Sequence, residues 1–517
     1  MTNTDPYARK WIIAFAVTLA SMMELIDTSI VNVALTQMSA NLGATLDEIA
    51  WVSTGYIVAA VIVLPMTGWL SGYFGRRRYF TASIIIFTIA SALCGQATSL
   101  IGLVLARVLQ GIGGGALIAT SQAILFESFP PQEATMAAAV FGLGMMVGPA
   151  IGPTLGGYIV DRFTWPWIFY INIPIGILAA VLVWGNVKDS KHQERASTID
   201  IPGIALIAIG IGSLQFVLER GGYYDWFDSN LIRVLSFCAA AGIILLIWRE
   251  LTVDEPILDL HVLKDRSLAG GAGFGVVLGV ALYGSIFAVP IYTQQLLGWN
   301  AETSGWVLFP GAIGSAVAMI FLARLGSKIK DLRWVAAVGA ILLCASMVLH
   351  SHFTTESGRG DMIWPITLRG FATGCMFIPL ATYAVGGLRG KNLAHGSALF
   401  NLARQLGGSV GIAVLANLLT HQAAIHRVDL VSDLVAGSPV TDARMSAITH
   451  GMIAKGSDSY SATHQALGIL NGLVQRQATM MAFRDIFLIV AIVIAVSLPL
   501  IMLLRKPATA GMRIGDH

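Results

Sequence analysis

Charge is what this chain has least of: Lys, Arg, Asp and Glu make up 12% of its 517 residues, against 56% hydrophobic. Soluble domains carry about 25% charged residues, so the composition excludes an ordinary water-soluble fold and fits a polytopic membrane protein. The net charge of +3 gives no basis for a nucleic-acid partner. Cysteine is scarce as well. Cys94, Cys238, Cys344 and Cys375 each lie in an apolar stretch without a close mate, which excludes a disulfide framework or a zinc site and leaves small packing residues. The signatures of catalysis are missing too. There is no phosphate-binding Gly-x-x-x-x-Gly-Lys-Ser/Thr loop, no nucleophile elbow, which needs a strand before it, and no His-Glu metalloprotease motif. Gly111-Ile112-Gly113-Gly114-Gly115 sits in an apolar helix with no preceding strand, and His421 and His426 are isolated, so neither a dinucleotide nor a metal is expected. The chain reads as a non-enzyme without a cofactor.

What is present is apolar length. Crossing about 30 Å of hydrocarbon takes about 20 helical residues. Fourteen stretches qualify: 11–35, 49–69, 79–97, 101–122, 134–157, 166–186, 200–219, 231–250, 267–296, 303–323, 334–351, 362–385, 396–418 and 481–504. An even number puts both termini on one side. Basic residues gather at Arg9-Lys10, Arg76-Arg77-Arg78, 188–195, 324–333, Arg389 with Lys391, and Arg505-Lys506. The excess of Lys and Arg in cytoplasmic loops then places that side in the cytoplasm. The first span is too long and too acidic for a signal peptide and reads as retained. The expectation is an all-α, multi-pass protein of the cytoplasmic (inner) membrane.

Two connections stand out. The polar stretch 188–197 divides six spans from eight, which suggests a six-helix bundle over 1–197, two inserted linker helices over 198–266 and a second six-helix bundle over 267–517. The second is a long outer-face loop at about 419–480, where the turn Gly437-Ser438-Pro439 and the run 462–470 suggest amphipathic helix. It reads as a folded cap or tolerated insertion, or as a docking element for another protein.

Polar groups within the spans carry the functional signal. Glu24 and Asp27 are three apart on the first span and share a face. An acid at that depth costs a few kcal/mol or more, which makes the pair a candidate proton site; the competing reading is a structural pairing. Arg107 needs an acceptor at Asp27, Glu24 or first-span carbonyls, with Gln110 one turn on, and a purely structural ion pair is its alternative. Gly148, Gly152, Gly156 and Gly157 permit close helix approach, while Pro149 and Pro153 are expected to bend the fifth span; ordinary tight packing competes. Tyr283, Tyr292, Gln294, Gln295 and Phe309 suit a wall for flat hydrophobic ligands, although any aromatic taken singly reads more readily as lipid-facing or packing. Asn401, Arg404 and Gln405 are polar inside a span and should face the interior.

Four patterns then converge. They are Gly68-Trp69-Leu70-Ser71-Gly72-Tyr73-Phe74-Gly75-Arg76-Arg77-Arg78 after the second span, Leu103 through Arg107, Gln110 and Gly115 in the fourth, Gly144 through Gly148-Pro149 and Gly152-Pro153 to Gly157 in the fifth, and Trp165-Pro166-Trp167 through Asn172 to Gly176 opening the sixth. Together with the stretch from Asp27 through Asn32 to Leu35, they resemble the major facilitator superfamily. Within it they are most like the fourteen-helix drug:proton antiporters of the EmrB/QacA type, in the EmrB branch. The resemblance covers nearly the whole chain.

It implies a major facilitator fold, two six-helix bundles plus two inserted helices, with a cavity between the bundles exposed alternately to each side. It implies multidrug efflux driven by the proton gradient, with proton coupling at Asp27, Glu24 and Arg107. Asn32 and Gln110 join the substrate-binding candidates. Gly68, Gly75, Arg76, Arg77 and the Gly-Pro pairs become conformational elements. Implied partners are small drugs or amphipathic compounds, protons, the lipid bilayer and, in a source with two membranes, a periplasmic adaptor and an outer-membrane channel. One departure matters: Gly72 stands where the family's turn usually has an aspartate. The turn 323–329 after the tenth span echoes the turn after the second, a weak internal repeat. A proton-coupled exporter of a native metabolite, siderophore or lipid shares these motifs, and a non-transporting scaffold or sensor is the third reading.

Overall fold

In lipid, backbone N–H and C=O groups must be satisfied within the segment, so apolar runs of this length fold as helices. The computed structural model describes residues 6–189, 199–253, 255–435 and 437–504, and among these it is helical with no strand. Fourteen helices are long and apolar enough to cross a membrane. They are α1 (Arg9–Leu42), α2 (Asp47–Phe74), α3 (Arg76–Gly95), α4 (Leu100–Ser128), α5 (Ala134–Arg162), α6 (Trp167–Asn186), α7 (Ile201–Arg220), α8 (Asn230–Glu250), α9 (Arg266–Leu296), α10 (Thr303–Leu325), α11 (Leu332–His350), α12 (Arg359–Ala384), α13 (Gly390–Ser432) and, after the shorter α14 (Pro439–Ala454), α15 (Ser459–Leu503).

The same packing scheme appears twice. In the first half α1 packs on α5, α2 on α4, α3 on α4 and α6; in the second α9 packs on α13, α10 on α12, α11 on α12 and α15. Small residues set the close contacts. Gly148, Gly152 and Gly156 of α5 press on Leu25, Ser29 and Ile30 of α1, and in the second half Gly407 and Gly411 of α13 press on Val276 and Val280 of α9. Gly157 does not belong to this seam: a Cβ there would have no neighbour within 4 Å. Pro149 and Pro153 lie inside α5, which stays one continuous helix through both.

The long connection differs from a loop at 419–480. α13 and α15 run on past their apolar stretches, and α14 packs on α15. Polar bonds hold the extensions together: His426 to Asp485 at 2.7 Å, Arg427 to Asn471 at 3.1 Å, and Arg476 to the Leu296 and Thr355 carbonyls at 3.1 and 3.0 Å. Hydropathy marks only where a helix is apolar, and these continue in polar sequence. Of the linker 188–197, residues 190–197 lie outside the described residues.

The bundles meet through α5 with α10 and α12, and through α13 with α4 and the end of α2 that leads into the basic turn. The inserted α7 pairs with α8 and packs on both α2 and α13. The face bearing Arg9, Lys10 and Arg76–Arg78 is called the basic face below.

Candidate functional site: a buried ion pair between α1 and α4

Asp27 and Arg107 are the centre of the first half. Asp27 is fully enclosed and Arg107 is 1% exposed. The Arg107 Nη1 donates to Asp27 Oδ2 at 2.6 Å and to Gln110 Oε1 at 2.7 Å, and its Nε donates to the Val52 carbonyl at 3.1 Å. Gln110 Nε2 donates back to Asp27 Oδ1 at 2.9 Å, and Asn172 Nδ2 donates to the same oxygen at 2.8 Å. Asn172 in turn donates to Ser91, and the Tyr56 ring lies 4.1 Å from the guanidinium. Each helix brings its group for a local reason. Arg107 and Gln110 sit one turn apart on α4, and Gly111 and Gly115 let that helix lie directly on the α2 backbone at Tyr56 and Ala60. A charge pair taken out of lipid or water needs further hydrogen bonds to offset desolvation, and this one has them.

Of the alternative acceptors the sequence offers Arg107, Asp27 is the one it meets, and its carbonyl bond goes to Val52 of α2. Glu24, one turn from Asp27, does not join the ion pair. Its Oε2 has no hydrogen-bond partner, and the charges that act on it are Arg404 and Asp27. Asn32 is exposed and accepts from Ser53 at 3.2 Å, outside the Asp27 network.

A second cluster crosses between the bundles. Asn401 of α13 donates to Gln122 of α4 at 2.6 Å, and Arg404 donates to Tyr283 at 2.9 Å and to Asn401 at 3.4 Å. Gln405 is half-buried beside it. The rest of the expected aromatic wall lies elsewhere. Tyr292 is fully buried, stacks on Phe353 and donates to the Thr354 carbonyl at 2.6 Å, so it packs the second bundle. Gln294 and Gln295 are exposed in the π-helical turn Tyr292–Leu296, and Phe309 is exposed edge-on to Trp306. Helical phase explains the miss: spacing places a residue along a span but not on which side its neighbours lie.

At the basic face, Gly68 lies against His395 of α13, where a Cβ would come within 2.8 Å of the ring. Gly75 takes φ +87° to turn α2 into α3, a conformation that favours glycine. Arg76 pairs with Glu127 of α4. Arg77 donates its backbone N–H to Asp189 at 3.0 Å and lies 4.6 Å from the Trp184 ring. An acid from the end of the first bundle thus reaches the turn whose own aspartate is replaced by Gly72. Residues that the sequence reading did not assign are Val52, Ser91, Gln122, Asp189 and His395, along with the roles of Tyr56 and Asn172. A polar side chain within an apolar span was the available signal for Ser91, Gln122 and Asn172.

Residues 17–412 match the family model described as Major Facilitator Superfamily. The chain is 34% identical to the multidrug export protein EmrB of Escherichia coli K12, over 97% of this chain and 96% of that one. It is 34% identical to the fatty acid resistance protein FarB of Neisseria gonorrhoeae (95% and 96%) and 29% identical to the colistin resistance protein EmrB of Acinetobacter baumannii (95% and 96%). Among solved structures it is similar in fold to the human organic anion transporter MFSD10 and to the proton:xylose symporter XylE. The TM-scores are 0.55 and 0.56, at 13% and 12% identity, covering 94% of this chain and 99% and 95% of the others. A twofold-repeated helical packing joined across α5, α10 and α13, with fourteen spans and these relatives over nearly its full length, makes the chain an EmrB-type member of the major facilitator superfamily.

Proposed function

We propose that the protein exports hydrophobic and amphipathic compounds across the cytoplasmic membrane in exchange for protons, by alternating access and without a cofactor. The observation that carries this reading is the fully buried Asp27–Arg107 pair, with the neighbouring Glu24 within electrostatic reach of both Asp27 and Arg404 of the cross-bundle cluster. Such an arrangement is costly in a helix bundle that only packs, and useful where a proton and a substrate compete for one conformation.

The basic face is cytoplasmic in this reading, and both termini lie there, as the distribution of Lys and Arg favours. The present conformation is then closed to the cytoplasm, since α13 seats on α2 at Gly68 and on α4 at Gln122. Asp27 accepts from three donors, whereas Glu24 Oε2 is bare, so Glu24 is the carboxyl with an open oxygen in this state and the Asp27 oxygens become available when Arg107 moves away. Opening toward the cytoplasm breaks the Asn401–Gln122 bond and frees Arg404 to change partners. The substrate class follows the relatives, which are named for multidrug, fatty acid and colistin resistance. In a cell with two membranes the projecting α13–α14–α15 hairpin is the surface for a periplasmic adaptor that continues to an outer-membrane channel.

The test is proton movement in proteoliposomes on adding cationic dyes and hydrophobic weak acids, with Asp27→Asn alongside. Substrate-dependent proton movement that the variant loses supports exchange. Equal movement in both removes Asp27 from coupling, and none in folded wild type removes the export reading.

A further inference from the structure

Arg107 and Arg404 each meet acceptors, but a third intramembrane arginine does not. Arg369 of α12 is 6% exposed, its Nη1 has no partner, and no carboxylate acts on it among the described residues. A guanidinium does not give up its proton in a protein, so burial cannot be relieved by neutralisation. The α10 side offers no relief either: Gly311 lies against Nη2, and the Gly370 and Gly311 backbones touch there.

His350 at the end of α11 is the second incomplete group nearby. It is fully buried and within electrostatic reach of Arg369. Its Nδ1 lies 2.7 Å from the Ser346 carbonyl, which only accepts, so Nδ1 carries the hydrogen and Nε2 faces the interior without a partner. Ser346 also donates to the Pro365 carbonyl at 2.8 Å, which fixes α11 on α12 one turn before Arg369. The His350 ring contacts Phe353 at 5.0 Å, and Phe353 lines a pocket of about 490 Å³ between α11 and α15. Val348, Met480, Met481 and Leu488 give that pocket an apolar wall, and Arg484 adds a cation.

We propose that Arg369 and His350 form an anion-binding site inside the second bundle, taking a single negative charge carried either by the carboxylate of an amphipathic acid or by a free inorganic anion. Arg369 donates to the anion. His350 contributes only when Nε2 holds a proton, taken from solvent or from the O–H of an arriving carboxylic acid, whose oxygen then accepts from Arg369. Binding therefore strengthens toward acid pH. The charged group facing His350 is Arg369; Phe353 and, from α15, Phe487 present phenyl rings, and the Tyr292 hydroxyl is committed to Thr354. The carboxylate arm rests on export of amphipathic compounds, but the readout is binding and needs no transport, so either can fail without the other.

The experiment is thermal unfolding of the purified full-length protein at pH 6 and pH 8, titrated with sodium decanoate and, separately, with sodium chloride replacing gluconate; decanol controls for the chain. Wild type should gain thermal stability with one probe, more at pH 6. Arg369→Gln should lose the response, Arg369→Lys keep part of it, and His350→Phe lose its pH dependence. A response to decanoate alone assigns the site to an amphipathic carboxylate, and a response to chloride assigns it to a free anion. No response to either probe, or an equal response in wild type and Arg369→Gln, overturns the site.

Discussion

Removing the charge of Asp27 alone should harm the protein more than removing the whole ion pair. In wild type the Arg107 guanidinium is satisfied by Asp27, Gln110 and the Val52 carbonyl, all within the first bundle. Asp27→Asn keeps the shape but turns an acceptor-only carboxylate into a group that must present either its oxygen or its NH2. It already receives bonds from Gln110 and Asn172 on one oxygen and from Arg107 on the other, so one donor ends up facing another. A buried cation left without its counter-charge costs about 3–5 kcal/mol. The double variant Asp27→Asn/Arg107→Gln leaves no buried charge, so it should recover most of that loss while transport stays abolished. Thermal unfolding of the four proteins in one detergent closes the cycle, and dye efflux from vesicles under an imposed proton gradient reads function. An Asp27→Asn protein as stable as wild type, with no gain on adding Arg107→Gln, would refute the claim that the pair is a desolvated, mutually dependent unit. Retained proton-driven efflux in the single variant would refute its coupling role separately.

Gly152→Ala places a methyl group against the Ser29 hydroxyl in the α1–α5 seam and should cost about 1–3 kcal/mol by overpacking, whereas Gly157→Ala, with open space around it, should unfold at the wild-type temperature. Asn401→Ala removes a bond that exists only while the bundles are closed at the basic face. A loss of about 1 kcal/mol should raise the population open on that side by roughly fivefold, read as faster labelling of a cysteine placed in the cleft there; unchanged labelling contradicts the assignment. At the start of α7, burial works against the Asp200 charge, but the Arg249 guanidinium and the Gly203 amide outweigh it and hold its carboxyl below the usual range. Its stabilising contribution is therefore present above the unfolded value near pH 4 and is lost as pH falls through the lower folded value. Asp200→Asn should lower the unfolding temperature at pH 7, and the gap to wild type should shrink on acidification; a gap that widens contradicts the sign.

Much of the fold was legible because lipid leaves a chain few options. Apolar length alone gives the fourteen spans, since every backbone polar group must close within its own helix. Asp27 and Arg107 were legible for the same reason: a charge in an apolar run is conspicuous because it is expensive there. What the linear pattern did not contain was facing. Tyr292 and Phe309 looked alike as aromatics in neighbouring spans, yet one packs the bundle interior and the other is exposed, because a few degrees of helix rotation decide which neighbours a side chain meets. Contacts between residues far apart in the chain were equally out of reach, among them Asn172 on Asp27, Gln122 on Asn401, and Asp189 at the turn whose own acid is missing. The sequence by itself determined that this is a fourteen-span membrane protein with an acid and an arginine at its heart. Only tertiary packing decided that those two charges satisfy each other, that Glu24 is left aside with a bare oxygen, and that Arg369 Nη1 meets no partner among the described residues, because hydrogen bonds and desolvation depend on distances that the order of residues does not encode.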